Sequence, residues 1–307
     1  MAAVGSHPQI GQLLREWRER RGRTQLDLAL DAGVSARHLS FIETGRSKPG
    51  AEVILRLTDQ LEIPLRERNQ LLLAAGYAPA FPEHSLEDRE LAAVRQALHL
   101  ILTGHEPYPA LVIDRGWNLV AANSPMRTMA ALYDPELLAP PVNVLRLCLH
   151  PRGLGPWIVN LGEVRHYFVQ RLERQIAITG DTQLAVLLEE VARYPAPDYH
   201  RDSGPDTAAG HILTPVIRLR RPDRRELAFF ATVATFGTAS EVTTSELSIE
   251  LAFPADTATA DALQRLPGDS PQRWPPIKGF APPAPGLAPG APAATAGAHP
   301  APIRATP

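Results

Sequence analysis

The apolar positions of the first 77 residues repeat with the spacing of short amphipathic helices. Ile10, Leu13, Leu14 and Trp17 fall on one face of a helix, and Gly22 marks the point at which that helix should end. Four further segments of the same kind follow, separated by short turns. We therefore predict an all-α bundle of five helices over residues 9–77, with helices near 10–21, 25–32, 36–44, 51–61 and 65–75.

Between residues 86 and 266, helical patterns are interspersed with β-branched and aromatic runs. A helix and a strand–turn–strand come first, and two helices separated by Gly180 and Asp181 come next. Three strand-like segments and a short helix complete the order, which predicts an α+β domain with helices on one face of an antiparallel sheet. The predicted segments lie near 86–103, 110–123, 161–178, 182–194, 211–220, 226–236, 246–254 and 258–266.

The last 41 residues, 267–307, are dominated by proline, alanine and glycine. Such a composition cannot bury enough apolar surface to offset the entropy of ordering, so we predict a disordered tail. The chain is accordingly predicted to be multidomain, with units at 9–77, 86–266 and 267–307.

Charge and cysteine content narrow the classes of protein that fit. The chain has 307 residues and a formal net charge of −2, so any contact with nucleic acid must come from a local basic patch. Cys148 is the only cysteine, which excludes an internal disulfide and fits a reducing compartment. Its apolar setting favours an inert thiol over a redox sensor. The longest apolar stretches, such as 227–236, are too short to span a bilayer, and no secretory signal is seen, so we expect a cytoplasmic protein.

The segment 24–45 has the signals of two short helices joined by a tight turn. Thr24 and Ser35 stand at N-cap positions, Gly33 lies at the turn, and Leu39 and Ile42 are apolar anchors. This arrangement is typical of a helix-turn-helix, whose second helix enters the major groove of DNA. The alternative is a helical bundle that contacts protein, with its arginines on an ordinary solvated face.

The candidate DNA contacts follow from that geometry. Arg37 can form a bidentate contact with guanine, Gln25 can hold a phosphate at a helix N-terminus, and Arg46 and Lys48 can meet the backbone. Residues 9–48 carry eight Arg and Lys against five Asp and Glu, a net charge of +3. The complete set of candidates is Thr24, Gln25, Ser35, Ala36, Arg37, His38, Ser40, Phe41, Arg46 and Lys48.

Three runs resemble the Cro/C1-type (XRE) helix-turn-helix family: TQLDLA at 24–29, AGVS at 32–35 and HLSFIETGR at 38–46. The resemblance implies a lambda-repressor-like bundle in which Gln25 contacts phosphate, positions 35–37, 40 and 41 face the bases, and Glu43 is structural. Family members often carry Gln or Asn where this chain has Ala36 and Arg37, so the operator sequence does not follow from the resemblance.

Four later runs resemble transcription regulators with an MmyB-like domain: LRERNQLLLAAGYAP at 65–79, GHEPYPALVIDRGWNLVAAN at 104–123, NVLRLCLHPRGL at 143–154 and LAVLLEEV at 184–191. The resemblance implies a PAS-like fold that holds a small apolar ligand such as a fatty acid.

A pocket between sheet and helices would take its lining from apolar side chains. The candidates are Val112, Trp117, Leu119, Phe168, Leu172, Phe229 and Phe230, for each of which simple core packing is the alternative. Arg146, His150 and Arg152 are candidates for meeting a ligand carboxylate, with a surface role as the alternative.

Motifs of catalysis and metal binding are missing from the sequence: there is no H-E-x-x-H, no Cys/His cluster, no G-x-S-x-G and no G-x-G-x-x-G. We therefore predict no enzyme activity, no metal and no cofactor. The prediction is a sequence-specific DNA-binding regulator, a homodimer on double-stranded DNA, controlled by a small apolar ligand. The alternative is a regulator whose second domain is a protein-interaction or dimerisation module without a ligand. An enzyme with its own DNA-binding domain ranks last.

Overall fold

The computed structural model describes residues 10–197, 215–221 and 223–265. The predicted tail at 267–307 and the first part of the predicted strand at 211–220 lie outside the described residues. The N-terminal region forms the predicted bundle of helices, α1 (Ile10–Arg20), α2 (Gln25–Asp31), α3 (Ala36–Glu43), α4 (Ala51–Gln60) and α5 (Leu65–Ala74).

The apolar anchors found in the sequence form the interior of this bundle. Leu39, Ile42, Ile54 and Leu57 are each fully buried in one cluster. The interior also depends on Gly11, which the sequence analysis did not single out. A Cβ atom at Gly11 would lie 2.0 Å from the carbonyl oxygen of Ile42, so α1 and α3 can pack this closely only because glycine stands there.

The C-terminal domain contains five strands and seven further α-helices among the residues that the structure describes. In chain order these elements are α6 (Ala92–Gly104), β1 (Ala110–Ile113), β2 (Leu119–Ala122), α7 (Ser124–Thr128), α8 (Val144–Leu149), α9 (Leu161–Thr179), α10 (Thr182–Ala192), β3 (Ile217–Arg220), β4 (Glu226–Thr235), α11 (Val242–Ser245), β5 (Ser248–Pro254) and α12 (Thr257–Gln264). The α+β class with an antiparallel sheet is confirmed. The short helices α7, α8 and α11 were not predicted.

The five strands form one sheet in the order β2–β1–β5–β4–β3, with every neighbouring pair antiparallel. The hairpin β1–β2 therefore joins the later strands through β5. In this register Leu111 pairs with Glu250 and Ala231 pairs with Ala252, so these four side chains share one face of the sheet.

The expectation that helices cover one face of the sheet is wrong. On one face, Leu111 and Ile113 pack in a cluster with residues of α8, α9 and α10. On the other face, Val112 packs with Leu98 and Leu102 of α6. All four residues of β1 are buried because this interior strand is covered on both sides, which removes the alternation that a one-sided strand would show.

Candidate DNA-binding surface and ligand cavity

Two side chains cap the helices of the helix-turn-helix. The hydroxyl oxygen of Thr24 accepts a hydrogen bond from the backbone N–H of Asp27 at 3.1 Å, and that of Ser35 accepts one from His38 at 3.1 Å. Gly33 takes a φ of +64° at the turn between the helices, where an L side chain would be strained. Thr24 and Ser35 thus fix where α2 and α3 begin.

Cations cluster around an aromatic ring of α3, one on the helix and two in the segment that follows it. The guanidinium carbons of Arg37 and Arg46 lie 5.3 and 6.0 Å from the ring centroid of Phe41. Beyond them, Lys48 Nζ lies 5.3 Å from the ring centroid of Tyr77. Within the described part of the chain, Arg37, Arg46 and Lys48 form no ion pair with an acidic side chain. We call these three residues, with Phe41, the α3 cation surface.

A buried ion pair holds α3 against the rest of the bundle. Arg18 donates to both carboxylate oxygens of Glu43, Nε to Oε1 at 2.6 Å and Nη2 to Oε2 at 2.8 Å, and the Glu43 side chain is 1% exposed. Hydrogen bonding to Glu43 raises the pKa of Arg18. Gln25 Nε2 also donates to Glu43 Oε2, at 2.7 Å. Glu43 thus ties α1, the start of α2 and the end of α3 together.

This ion pair gives Arg18 and Gln25 roles that differ from those predicted from the sequence. Arg18 was counted in the local net charge, but it is buried and neutralised inside the bundle. Gln25, a candidate phosphate contact, uses its side-chain amide on Glu43. Of the remaining candidates, Ala36, His38 and Ser40 lie half-buried on α3.

An apolar cavity of about 140 Å³ lies between the sheet and the helices of the C-terminal domain. Among the candidate ligand residues, Trp117, Phe168 and Phe229 line it, and the ring of Trp117 meets that of Phe168 edge-on at 5.8 Å between centroids. Residues that the sequence analysis missed complete much of the wall: Met126, Met129, Tyr133, Val144, Leu147, Cys148, Leu154, Ile217 and Leu219.

The structure places the other candidate ligand residues away from this cavity. Val112 lies on the opposite sheet face, and Phe230 stacks on Phe253 on that same side. Leu119 borders a polar groove instead, and Leu172 is fully buried in the core. Because strand residues alternate between faces, a shift of one position along β1 or β4 exchanges the cavity side for the α6 side.

The three polar candidates are occupied by protein partners. Arg146 forms a bidentate pair with Glu190, with N–O distances of 2.8 and 2.7 Å. Arg152 pairs with Asp134 and Glu136 at 2.9 and 2.7 Å. The ring of His150 meets that of Tyr194 edge-on, 4.9 Å between centroids.

Polar groups in the cavity wall are few and are held in their neutral or paired forms. Burial raises the pKa of Cys148 to about 12, so its thiol stays protonated at neutral pH and is a poor nucleophile. Burial likewise raises the pKa of Tyr133. Glu250 pairs with Arg171 at 2.6 Å, and the Arg171 guanidinium lies 4.5 Å from the ring centroid of Trp117. The cavity therefore suits a largely apolar guest.

A cluster of charged side chains joins the two domains. Arg66 of α5 binds both oxygens of Glu246 at 2.8 Å, between α11 and β5. Arg115, in the turn between β1 and β2, lies 3.0 Å from Glu67 of α5 and 2.7 Å from Asp181 at the start of α10. The connecting segment is fixed as well, because Val242 N–H donates to the carbonyl oxygen of Pro82 at 2.9 Å.

Two family models match the chain. The model of the MmyB-like transcription regulator ligand binding domain matches residues 94–266, more than half of the chain, and a helix-turn-helix model matches residues 14–68. The chain belongs to the MmyB-like transcription regulators. The helix-turn-helix at the N-terminus and the MmyB-like domain behind it, both expected from the resemblance, are confirmed. This MmyB-like protein thus falls in a family of transcription regulators and not in a class of enzymes.

Individual relatives add detail to the N-terminal match. The chain is 40% identical over 82 residues to the "Uncharacterized HTH-type transcriptional regulator RghRB" of Bacillus subtilis (strain 168). That alignment covers 26% of this chain and 57% of the relative, so the chain spans little more than half of the relative's length. A solved structure described as "Structure of an RNA-binding Light-Oxygen-Voltage Receptor" is 14% identical, with a TM-score of 0.24, and the match covers 84% of this chain and 61% of that chain.

In the part of the chain that the structure describes, no helix has both the length and the apolar character required to cross a bilayer.

Proposed function

We propose that this MmyB-like regulator binds a specific operator in double-stranded DNA through α3 and that an apolar small molecule in its C-terminal cavity controls that binding. The observation that carries the proposal is a cationic helix-turn-helix and an apolar cavity in one chain. The two are joined through an interface of ion pairs.

On the DNA side, Arg37 is the main base-reading residue in this proposal. Its guanidinium is exposed near the start of α3, the part of a recognition helix that approaches base edges. A bidentate contact from arginine to guanine contributes about 1–3 kcal/mol of discrimination between bases. Arg46 and Lys48 would contact phosphates, and Thr24 and Gln25 would lie at the sugar–phosphate backbone of the DNA. The residues beside the bases would be Ser35, Ala36, His38, Ser40 and Phe41.

On the ligand side, size and lining define the guest. A dry apolar cavity of about 150 Å³ is large enough for benzene, and the cavity here is about 140 Å³. A second cavity of about 230 Å³ shares Met129, Leu154, Leu219 and Phe229 with it, so an elongated molecule such as a fatty acid would fit better than a compact one. Trp117, Phe168 and Phe229 would form its main contacts.

The assembly and setting complete the proposal. Recognition helices of this type bind two half-sites about 34 Å apart, so we place a homodimer on a palindromic operator in the cytoplasm. The units of the proposal are 9–77 for DNA and 86–266 for the ligand, with 267–307, outside the described residues, as a separate third segment. If the second domain were instead a protein-interaction module, one stoichiometric partner would co-purify and no small molecule would.

The DNA half is tested by selecting a duplex from a random pool with the wild-type protein and measuring dissociation constants at fixed salt. Arg37→Ala should weaken binding of the selected duplex about 10- to 100-fold and relax the preference at one position. Arg193→Ala is the matched control, since it removes an exposed arginine of α10's end that pairs only locally with Glu189. Equal, equally selective binding by Arg37→Ala would refute the reading role.

The ligand half is tested by mass spectrometry of molecules extracted from purified protein and by calorimetric titration with sodium decanoate. We expect a bound apolar molecule, or binding of decanoate that Phe229→Trp weakens by filling the cavity. A folded domain that yields no ligand and ignores decanoate and other lipids in a thermal shift assay would contradict this half.

A further inference from the structure

The tight turn between β1 and β2, residues 114–118, is an unusual feature of the C-terminal domain. Trp117 takes a φ of +64°, a left-handed conformation that is rare and strained for a bulky side chain. The turn is nevertheless held firmly, because Asp114 Oδ1 accepts hydrogen bonds from the N–H groups of Gly116 and Asn118, both at 2.8 Å. Strain kept in place by its surroundings is typical of functional positions.

Trp117 connects the cavity to this turn through its backbone and also through a hydrogen bond of its side chain. Its ring lines the cavity, while its Nε1 donates to Gln175 Oε1 at 2.9 Å. Gln175 Nε2 in turn donates to the backbone carbonyl oxygen of Arg115 at 2.8 Å. If a guest displaces the Trp117 ring, Gln175 must either lose its hydrogen bond to that ring or move with it. Movement of Gln175 changes its hydrogen bond to the carbonyl oxygen of Arg115.

Arg115, two residues from Trp117, carries the contact across to the DNA-binding domain. Its guanidinium is shared by Glu67 of α5 at 3.0 Å, Glu246 at 3.0 Å and Asp181 at 2.7 Å. Glu246 is also bound by Arg66, the neighbour of Glu67. One carboxylate and one guanidinium of α5 are thus locked into a network centred on the 114–118 turn.

Movement of α5 would reach the DNA-reading helix through the bundle. α5 packs against α1 and α4, and α1 packs against α3, to which Arg18 and Glu43 also fasten it. A second contact reinforces the interface, since Arg21 Nη2 donates to the carbonyl oxygen of Ile178 at 3.2 Å. The two domains therefore meet through α5 and the end of α1, not through a free tether.

We propose that the 114–118 turn transmits occupancy of the cavity to the DNA-binding domain, with Trp117 as the sensing residue and Arg115 as the residue that positions α5. The inference rests on the proposed function and adds the route of its regulation. A guest that shifts the Trp117 ring moves the turn, and the turn changes the hold of Arg115 on Glu67.

The first test needs neither ligand nor DNA. Hydrogen exchange of the full chain is compared for wild type, Trp117→Phe and Gln175→Met. Trp117→Phe keeps a ring but removes the Nε1 donor. Gln175→Met, at a half-exposed helix position, removes the other partner of the same hydrogen bond and serves as the second variant if Trp117→Phe does not fold. Loss of one hydrogen bond is expected to speed exchange of α5 amides about 2- to 10-fold. Arg146→Gln, which breaks an ion pair outside this route, should leave α5 unchanged. Unchanged α5 exchange in both relay variants would overturn the proposal.

The second test measures coupling directly, as the ratio of the dissociation constants of the selected duplex without and with saturating sodium decanoate. Typical coupling is about 5- to 150-fold, and we expect wild type to fall in this range. Gln175→Met and Arg115→Gln should bring the ratio near one, although calorimetry should still detect bound decanoate, whereas Arg146→Gln should keep the wild-type ratio.

The contrary outcomes separate the relay from the proposed function. A Gln175→Met or Arg115→Gln variant that binds both duplex and decanoate and keeps the wild-type ratio would overturn the relay but not the proposed function. A wild-type protein that binds duplex and decanoate with a ratio of one would also overturn it. If wild type binds no duplex, or yields no ligand and binds neither decanoate nor other lipids, the proposed function is contradicted, and the exchange experiment then decides the relay.

Discussion

The bundle and the C-terminal domain hold a paired arginine in different ways. Arg18 forms hydrogen bonds with both oxygens of one carboxylate, Glu43, which is 1% exposed, while the exposed Glu19 lies 3.7 Å from Arg18 Nη2. Arg115 divides its guanidinium among three carboxylates from both domains, at the border of a third cavity, of about 230 Å³ and lined by Arg171 and Gln175. The first arrangement concentrates the guanidinium on one bidentate partner. The second spreads it over three carboxylates, Glu67 in the bundle and Asp181 and Glu246 in the C-terminal domain.

The same contrast holds for the apolar interiors. Leu39 and Ile42 of α3 are fully buried in a cluster held together by the Arg18–Glu43 pair, which suits a helix that must present a fixed surface to DNA. The C-terminal core surrounds a cavity, and its wall residue Trp117 is bonded outward to Gln175. In terms of the proposed function, the difference separates a half that keeps one shape from a half that responds to a guest.

Breaking the Arg18–Glu43 pair should have the largest effect on stability. In Arg18→Met the Glu43 carboxylate stays buried without its cation, and such losses cost about 3–5 kcal/mol. The loss in free energy of unfolding is measured by urea unfolding of the full chain, with hydrogen exchange of the bundle amides as the probe.

Two further variants sharpen this first prediction. Arg18→Met with Glu43→Leu should recover most of the stability, because an apolar pair of similar volume replaces the ion pair. Arg15→Met is the control, since Arg15 pairs with Glu19 on the exposed face of the same helix and should change little. If Arg15→Met and Arg18→Met cost the same, the contrast between the two arginines is lost.

Truncating one leucine in each interior compares the packing of the two regions. Leu39→Ala in the bundle and Leu147→Ala in the cavity wall should both destabilise, within about 2–5 kcal/mol. Leu147 faces space on one side, so it has fewer contacts to lose, and its cost should lie near the lower end. The free energies of unfolding of the two variants, measured side by side, check the order. A larger cost for Leu147→Ala would mean that the cavity closes in solution.

How far the sequence predicts each region follows from the same physics. In the bundle, Thr24, Gly33 and Ser35 act within a few residues, so helix ends could be located from local signals. The cavity wall depends on which strand neighbours which, and residues such as Tyr133 and Leu154 come from irregular connections without periodicity. The Arg18–Glu43 pair spans 25 positions, and nothing in either local pattern marks the two residues as partners.

Filling the cavity should separate ligand binding from DNA binding. Cys148→Met adds volume to the cavity wall, and we expect decanoate affinity to fall about 10-fold or more, equivalent to ~1.4 kcal/mol. Binding of the selected duplex without decanoate should stay unchanged, because α8 lies in the C-terminal domain. Leu149→Met is the matched control, since Leu149 is a neighbouring buried residue outside the cavity lining. The decanoate affinities are measured by calorimetric titration. An unaltered affinity in Cys148→Met would place the guest elsewhere.

The smallest expected effect concerns the pH dependence of the interface. Burial raises the pKa of Glu67 above its ordinary value of about 4.3, outweighing the attraction of Arg115. A raised folded-state pKa contributes stability below the unfolded pKa, and that contribution is lost as pH rises through the folded pKa. Glu67→Gln removes this loss, so its thermal midpoint relative to wild type should rise from pH 4 to pH 7.

Glu190 supplies the opposite sign within the same experiment. The hydrogen bond from Arg146 lowers the pKa of Glu190, so its contribution is present above the unfolded pKa and is lost as pH falls through the folded pKa. Relative to wild type, the midpoint of Glu190→Gln should therefore fall between pH 4 and pH 7. Parallel profiles for the two variants would show that the Glu67 carboxylate is as well solvated and paired as Glu190, and that Arg115 holds α5 through an ordinary ion pair. Divergent profiles would show that the carboxylate by which Arg115 holds α5 is ionised at a cost, which leaves that hold open to small displacements of the 114–118 turn.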